Sequence, residues 1–410
     1  MRNGLRVSFA MLFAGVSFMA EAEHGIPSAS QPADKNQAWQ VSRTRPQIAV
    51  TTAFDARGKL WLARVENGQI LLSHSDNQGQ AFSAAVTVNA EKETIAAEGE
   101  NRPKIAFGTH NEIYLSWTRS LDQPYSGDIR FARSLDGGKH FLPPISVNDN
   151  NEVISHRFDA MGVDKQGYIH LVWLDKRDQA MAKRKGEDYP GSALYYAVSK
   201  DAGKTFSINQ KLVDHSCECC RIAMDFENDG TPVIFWRHIY GRNVRDHALL
   251  RLDEKSQPVR VSYDHWEIAA CPHHGGAISI DPDNNYHLTW FNNGPESHGL
   301  FYAHSIDRGQ TFSPPVVVGN YANQAAHPFV LAVKQSVYLV WKEFDGQQSS
   351  IRLMHSADNG NSWSAARTLA ATDGASDHPL LVSDGTRAWL SWNTAKQGLV
   401  FRIVAAGEKS

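Results

Sequence analysis

Cysteine is scarce in this chain. There are four in 410 residues, all between positions 217 and 271. So few, so close together, cannot staple a chain of this length, which excludes a disulfide-built scaffold and leaves the fold to a hydrophobic core. An excess of one charge is also missing: 41 basic side chains face 44 acidic ones, for a net charge of −3. That removes the electrostatic case for nucleic acid or an anionic membrane surface as partner. Beyond residue 19 no apolar run is long enough to span a bilayer. Helical periodicity of useful length is absent as well. What is present is strand-like: short runs that alternate apolar and polar residues between turn residues, in a chain that is 42% apolar and 10% aromatic.

Five segments share one pattern, Ser-x-Asp-x-Gly-x-x-aromatic. They are Ser134 to Phe141, Ser199 to Phe206, Ser305 to Phe312, Ser356 to Trp363, and a degenerate Ser75 to Phe82 with Asn77 in place of Asp. The pattern suits a hairpin turn. Ser and Asp oxygens accept local backbone N–H groups, Gly supplies φ > 0, and the aromatic anchors the turn to a sheet.

A larger repeat encloses it. An Arg or His opens a short apolar run, a turn follows, and a second apolar run ends in Trp. The openers are Arg45, Arg102, Arg157, Arg221, His274, His327 and His378. The second runs end at Trp117, Trp173, Trp236, Trp290, Trp341 and Trp392, with Arg64 in the equivalent place of the first unit. Seven units recurring roughly every 50–65 residues have the length of four-stranded propeller blades. The spacing predicts an all-β, seven-bladed β-propeller of four-stranded antiparallel blades. The last unit supplies three strands, so Gln37–Arg43 is expected to close it as the outer strand, removing an exposed edge.

Residues 1–22 read as a secretory signal: Arg2 and Arg6, an apolar stretch from Val7 to Met19, and small residues around Ala20-Glu21-Ala22. Residues 23–36 are then a linker and 37–410 the propeller. The mature protein is expected in the periplasm or outside the cell, with no membrane attachment once the signal is removed.

In a propeller the first strand of each blade lines the channel. The Ser-Asp-Gly turns fall on one face, and the long connections Arg119–Gly127, Leu174–Ser192, Arg237–Asp246, Phe291–Gly299 and Lys342–Ser350 fall on the other. Long loops gathered on one rim carry binding function. The seven openers face that rim and form a basic ring, a candidate site for a small anionic ligand or glycan. Beside it lie Cys217-Glu218-Cys219-Cys220-Arg221 and Cys271-Pro272-His273-His274. In register, these two groups are neighbours on adjacent blades. Cys217, Cys219, Cys220, Cys271, His273 and His274 are candidate ligands for copper or zinc. An even number of cysteines in an oxidising compartment favours at least one disulfide, such as Cys217 or Cys219 with Cys271 between adjacent blades, over the metal site, and a redox dithiol is a third option.

The Ser-x-Asp-x-Gly-x-x-aromatic turns resemble the Asp-boxes, or BNR repeats, of sialidases and their relatives. The resemblance covers nearly the whole mature chain. It implies a carboxylate clamp of three arginines, for which Arg45, Arg102, Arg157 and Arg221 are available, with a Tyr–Glu nucleophile pair and an Asp acid/base. Tyr125, Tyr189 and Tyr240, with Asp175, Glu187, Asp188 and Glu343, lie on the rim loops, and spacing assigns none of them a catalytic role. The Cys/His cluster has no counterpart in that mechanism, and seven units differ from the family's six blades. The expectation is therefore a sialidase-like propeller that binds a ligand or metal at a Cys/His/Arg-rich mouth. An exo-sialidase-type hydrolase of acidic sugars and a protein-interaction platform, marked by an apolar rim patch around Tyr240 and Trp266, are the alternatives.

Overall fold

A computed structural model describes residues 47–253 and 255–404. Seven antiparallel sheets follow one another along the chain, each with its strands in sequence order. Their innermost strands are Thr51–Phe54, Lys104–Phe107, His156–Val163, Ala223–Phe226, Ala277–Ile280, Ala326–Val333 and Leu380–Ser383. Each packs on the next and the last packs on the first, so the blades form a closed ring. Asn393 donates to the Ile48 carbonyl at 2.8 Å across this closure. Blades one to six have four strands, and blade seven has three among the described residues. The closing strand expected at Gln37–Arg43, Arg45 and the signal segment lie outside the described residues.

The repeat residues build the blades as their chemistry requires. All six tryptophans that end the second runs are fully buried. They belong to apolar clusters such as the one that joins Phe158 and Leu174 of blade three to Ile234 and Trp236 of blade four. In the Ser-Asp-Gly turns, Ser134 Oγ donates to Asp136 at 2.8 Å and accepts the Gly138 N–H at 2.9 Å. The same bonds recur at Ser75, Ser199, Ser305 and Ser356. The turn glycine at Gly138 has φ 83°, a conformation that favours glycine. The turn aromatic reaches the preceding blade: Phe206 meets Phe131 at 5.0 Å and Trp363 meets Tyr302 at 4.7 Å, both edge-on. These turns are scaffold.

Among the described residues one α-helix and a single 3-10 turn, Tyr321–Asn323, depart from the all-strand expectation. Residues Arg177–Lys185 form a short α-helix in the rim loop of blade three, ended by Gly186 in the left-handed region. Its sequence, Arg-Asp-Gln-Ala-Met-Ala-Lys-Arg-Lys, is rich in good helix formers but has almost no apolar face, so periodicity gave no signal. No helix among the described residues is long and apolar enough to cross a membrane.

Candidate functional site at the channel mouth

Six of the seven openers are described, and the ring of inner strands brings them to one rim. Their side chains have different fates. Arg102 is buried and commits its guanidinium to protein acceptors: Asp377 at 2.7 and 2.8 Å, the Val50 carbonyl at 2.8 Å, and the Gly99 carbonyl at 3.0 and 2.8 Å. Those five bonds match its five N–H donors. Arg221 donates to the carbonyls of Gly275, Gly276 and Pro328. The Arg102 fork is not free to clamp a substrate carboxylate, and Arg221 has its Nε and Nη2 donors on carbonyls and its Nη1 3.9 Å from Glu100.

The centre of the mouth is held by a residue outside the repeat, Glu100. Glu98 and Asn101 exchange backbone hydrogen bonds of 3.0 and 2.9 Å. This tight turn carries Gly99 and Glu100 at its tip and delivers the Glu100 carboxylate from the start of blade two across the mouth. Its Oε2 accepts the backbone N–H of Arg221 at 3.1 Å and of Gly275 at 2.9 Å. Its Oε1 lies 3.2 Å from His327 Nδ1 and 3.4 Å from His378 Nδ1. One carboxylate thus ties blade two to blades four, five, six and seven. Burial alone would raise its pKa. The Arg221 charge, the His327 hydrogen bond and the nearby His378 ring outweigh burial and hold the carboxyl well below the usual range.

The three histidine openers form a stack. His274 lies on Phe291 (centroids 4.2 Å apart) and on His327 (4.6 Å), and His327 lies on His378 at 3.4 Å with planes 14° apart. Burial pushes the pKa of His327 down to about 3, that of His378 to about 4, and that of His274 well below the ordinary value. The rings are neutral at physiological pH. Donor atoms of Glu100, His327 and His378 lie within 4.8 Å of one another. Rings stacked so nearly parallel direct their in-plane lone pairs side by side, not toward one point, so this group is a hydrogen-bonded clasp and not a chelate. Gly99 is part of the clasp. A Cβ there would lie 2.2 Å from two atoms of the His378 ring. Gly99→Ala is therefore expected to displace His378 and lower stability by about 1–3 kcal/mol, measurable by denaturant unfolding.

The cysteines form a second group on the same rim. Residues 217–222 run from the outer strand of blade three (Gln210–Ser216) into the inner strand of blade four. They bring the thiols of Cys217, Cys219 and Cys220 within 4.8 Å of one another, all three buried. The Cys217 N–H donates to the Arg237 carbonyl at 2.9 Å. Cys271, on the connection between blades four and five, is exposed and does not join the three thiols that lie within 4.8 Å of one another. The two segments are held side by side at their openers, where the Arg221 and Gly275 N–H groups share Glu100 Oε2.

All four cysteines are free, and none of the expected disulfides is formed. The Cys217 and Cys220 sulfurs are 3.5 Å apart, far beyond a ~2.05 Å disulfide bond. That spacing is close to the edge of roughly 3.8 Å that a tetrahedron of sulfurs has around a metal at ~2.3 Å. Arg245 donates an N–H to Cys217 Sγ at 3.1 Å. Hydrogen bonds from Cys219 and Cys220, aided by the Arg245 and Arg237 charges, pull the Cys217 thiol well below its ordinary value, while burial pushes Cys220 up.

The other rim candidates separate. His274 joins the histidine stack, and His273 is exposed. Arg157 packs over Phe158 at 5.1 Å, and burial lowers its pKa against the opposing charge of Glu98. Asp175 accepts from Trp173 and Arg177, and Glu343 from Trp341 and the Asn320 N–H, so both are structural. Glu187 and Asp188 are exposed. Tyr189 donates to Asp214 at 2.5 Å, and burial with that bond raises its pKa, which keeps the phenol protonated. Tyr240 lies under Arg260, and Trp266 is buried beneath Arg237, so the two form no apolar rim patch. Arg237, Arg245 and Glu100 carry no repeat signature and were not legible as site residues.

No protein-family model and no curated protein sequence matches the chain. Solved structures do. A lectin from Burkholderia pseudomallei aligns with a TM-score of 0.58 at 10% identity, over 88% of this chain and 99% of its own. A polysaccharide lyase, an ulvan lyase bound to a GlcA–Rha3S unit, aligns with a TM-score of 0.56 at 10% identity, over 88% and 92%. A Hadza microbial sialidase aligns at 0.49 and 15% identity, over 82% and 74%. At these identities the likeness is one of fold, and the propeller hosts unrelated chemistries.

Proposed function

We propose that this chain is a sialidase-like propeller of the periplasm or cell exterior that binds a soft metal ion, copper(I) or zinc, through Cys217, Cys219, Cys220 and Cys271. The observation that carries this reading is the meeting of three buried thiols at one strand junction, and Cys271 on the next connection is taken as the fourth ligand. Thiolates select these metals, and an Arg N–H on a ligating sulfur is the kind of outer-shell contact that tunes such sites. The His/Glu clasp beside it fixes the two cysteine segments. Arg102, and the donors of Arg221 that bond carbonyls, are held by protein acceptors, which argues against a carboxylate clamp and against a conventional sialidase. The fold shared with a lectin and a lyase keeps glycan binding as a second reading for the long rim loops.

Elemental analysis of the natively purified full chain, with a thiol count, tests the metal reading. One equivalent of copper or zinc with four reduced cysteines is expected. Cys219→Ser should abolish stoichiometric binding. Arg245→Ala should weaken it by about 10–100-fold. Four oxidised cysteines and no metal would overturn the reading, and sialoside cleavage lost in Arg102→Ala would replace it with a hydrolase.

A further inference from the structure

Among the three clustered thiols one pair is poised to join. The Cys217 and Cys220 sulfurs are 3.5 Å apart. Both residues lie in the segment 217–222, outside any strand, so a small adjustment of that turn brings them to the ~2.05 Å of a disulfide. Cys217 is held at this spot from two sides. Its N–H donates to the Arg237 carbonyl at 2.9 Å, and Arg245 donates to its sulfur at 3.1 Å. Arg237 in turn donates to the Arg245 carbonyl at 3.0 Å. Cys219 and Cys220 are a poorer pair. They are adjacent in sequence, and neighbouring Cα atoms are ~3.8 Å apart, short of the ~4.4–6.8 Å that a disulfide spans.

Access to the pair is narrow. Cys217, Cys219 and Cys220 are 1%, 5% and 3% exposed and pack with Phe158, Leu174 and Trp236 between blades three and four. A peptide disulfide does not fit against sulfurs so enclosed. An oxidant little larger than water does.

We propose that the site is redox-gated: a small peroxide oxidises Cys217 and Cys220 to a disulfide, and the metal is released. The inference rests on the metal reading above. A metal-bound cysteine is a thiolate, the nucleophilic form. First the Cys217 thiolate attacks hydrogen peroxide: an S–O bond forms, the O–O bond breaks and hydroxide leaves. Then the Cys220 thiolate attacks the Cys217 sulfur: the S–S bond forms, the S–O bond breaks and a second hydroxide leaves. Two electrons pass from the sulfurs to the peroxide, and solvent protons convert both hydroxides to water. A zinc ion keeps its charge throughout. It loses two of its four thiolates, and Cys219 with Cys271 does not complete a closed tetrahedral site.

The test uses the full chain loaded with one equivalent of zinc and treated with one equivalent of hydrogen peroxide. A colorimetric chelator reads zinc release. Alkylation before and after reduction, with peptide mass spectrometry, reads each cysteine. One zinc released per peroxide consumed is expected, with Cys217 and Cys220 protected from the first alkylation and Cys219 modified by it. Reduction by a phosphine should restore zinc binding. Oxidised glutathione should act at least about tenfold more slowly, since thiol reactivity follows access. Cys219→Ser, which holds no metal, should still form the Cys217–Cys220 bond. With Cys220 also replaced by serine, Cys217 should stop as a sulfenic acid that dimedone traps. Zinc retained after peroxide, or a disulfide that joins Cys219 to Cys271 instead, would overturn the proposal and leave the metal reading standing. Glutathione acting as fast as peroxide would overturn the restriction to small oxidants. A chain that takes up no zinc yet forms the Cys217–Cys220 bond would overturn the metal reading, and the release step with it.

Discussion

Glu100→Ala is expected to cost about 3–5 kcal/mol of unfolding free energy, the scale of breaking a buried ion pair from one side. The side chain is 5% exposed, and its two oxygens meet Arg221, Gly275, His327 and His378. Removing it strands a buried guanidinium and two backbone N–H groups, and an unpaired buried donor costs more than a made hydrogen bond gains. It also unties blade two from four other blades. Glu100→Gln keeps the shape and loses the charge, so it should fall between parent and alanine. Denaturant titrations of the three proteins measure this. A loss below ~1 kcal/mol in the alanine variant, the range of an exposed pair, would mean that the clasp does not hold the ring.

Acid should destabilise this propeller well above the pH at which carboxylates titrate. His327, His378 and His274 are neutral in the folded protein, with values pushed down to about 3, about 4 and well below 6.5. His238, at about 4, and His247, well below the ordinary value, act in the same direction. In the unfolded chain each takes up a proton near pH 6.5. As pH falls below 6.5 the unfolded state therefore binds more protons, and each histidine costs about 1.4 kcal/mol per pH unit until its folded value is reached. Glu100 acts at lower pH. Held well below 4.5, it contributes stability that is full above that value and is lost as pH falls further. The groups facing the stack are Glu100, Arg102, Arg237, Lys342 and His273, and of these Glu100 alone favours protonation. Thermal unfolding between pH 7 and pH 4 is expected to show a steep decline that flattens in His327→Phe. A flat profile over that range would contradict the buried neutral stack.

The ring was legible in the sequence because it is repetitive. Trp117 to Trp392 mark the ends of the second strands, Ser134 and its equivalents mark the turns, and each is a local signal that repeats six or five times. The nearness of the segments before Arg221 and before Gly275 followed from the same register, since each leads into the inner strand of its blade. Glu100 was not legible. It sits in a turn outside the repeat pattern, and its role depends on four partners more than a hundred residues away. Arg102 and Arg221 were read as a free basic ring because spacing places a side chain on a rim but does not say which carbonyls it meets there. His274 was grouped with the cysteines for the same reason: three residues from Cys271, it turns to Phe291 and His327.

X-ray absorption at the metal edge of the natively purified protein tests the central claim most directly. A first shell of sulfur alone at ~2.3 Å is expected from Cys217, Cys219, Cys220 and Cys271. A shell of nitrogen and oxygen near 2.0 Å would place the metal on histidine and carboxylate ligands and contradict it.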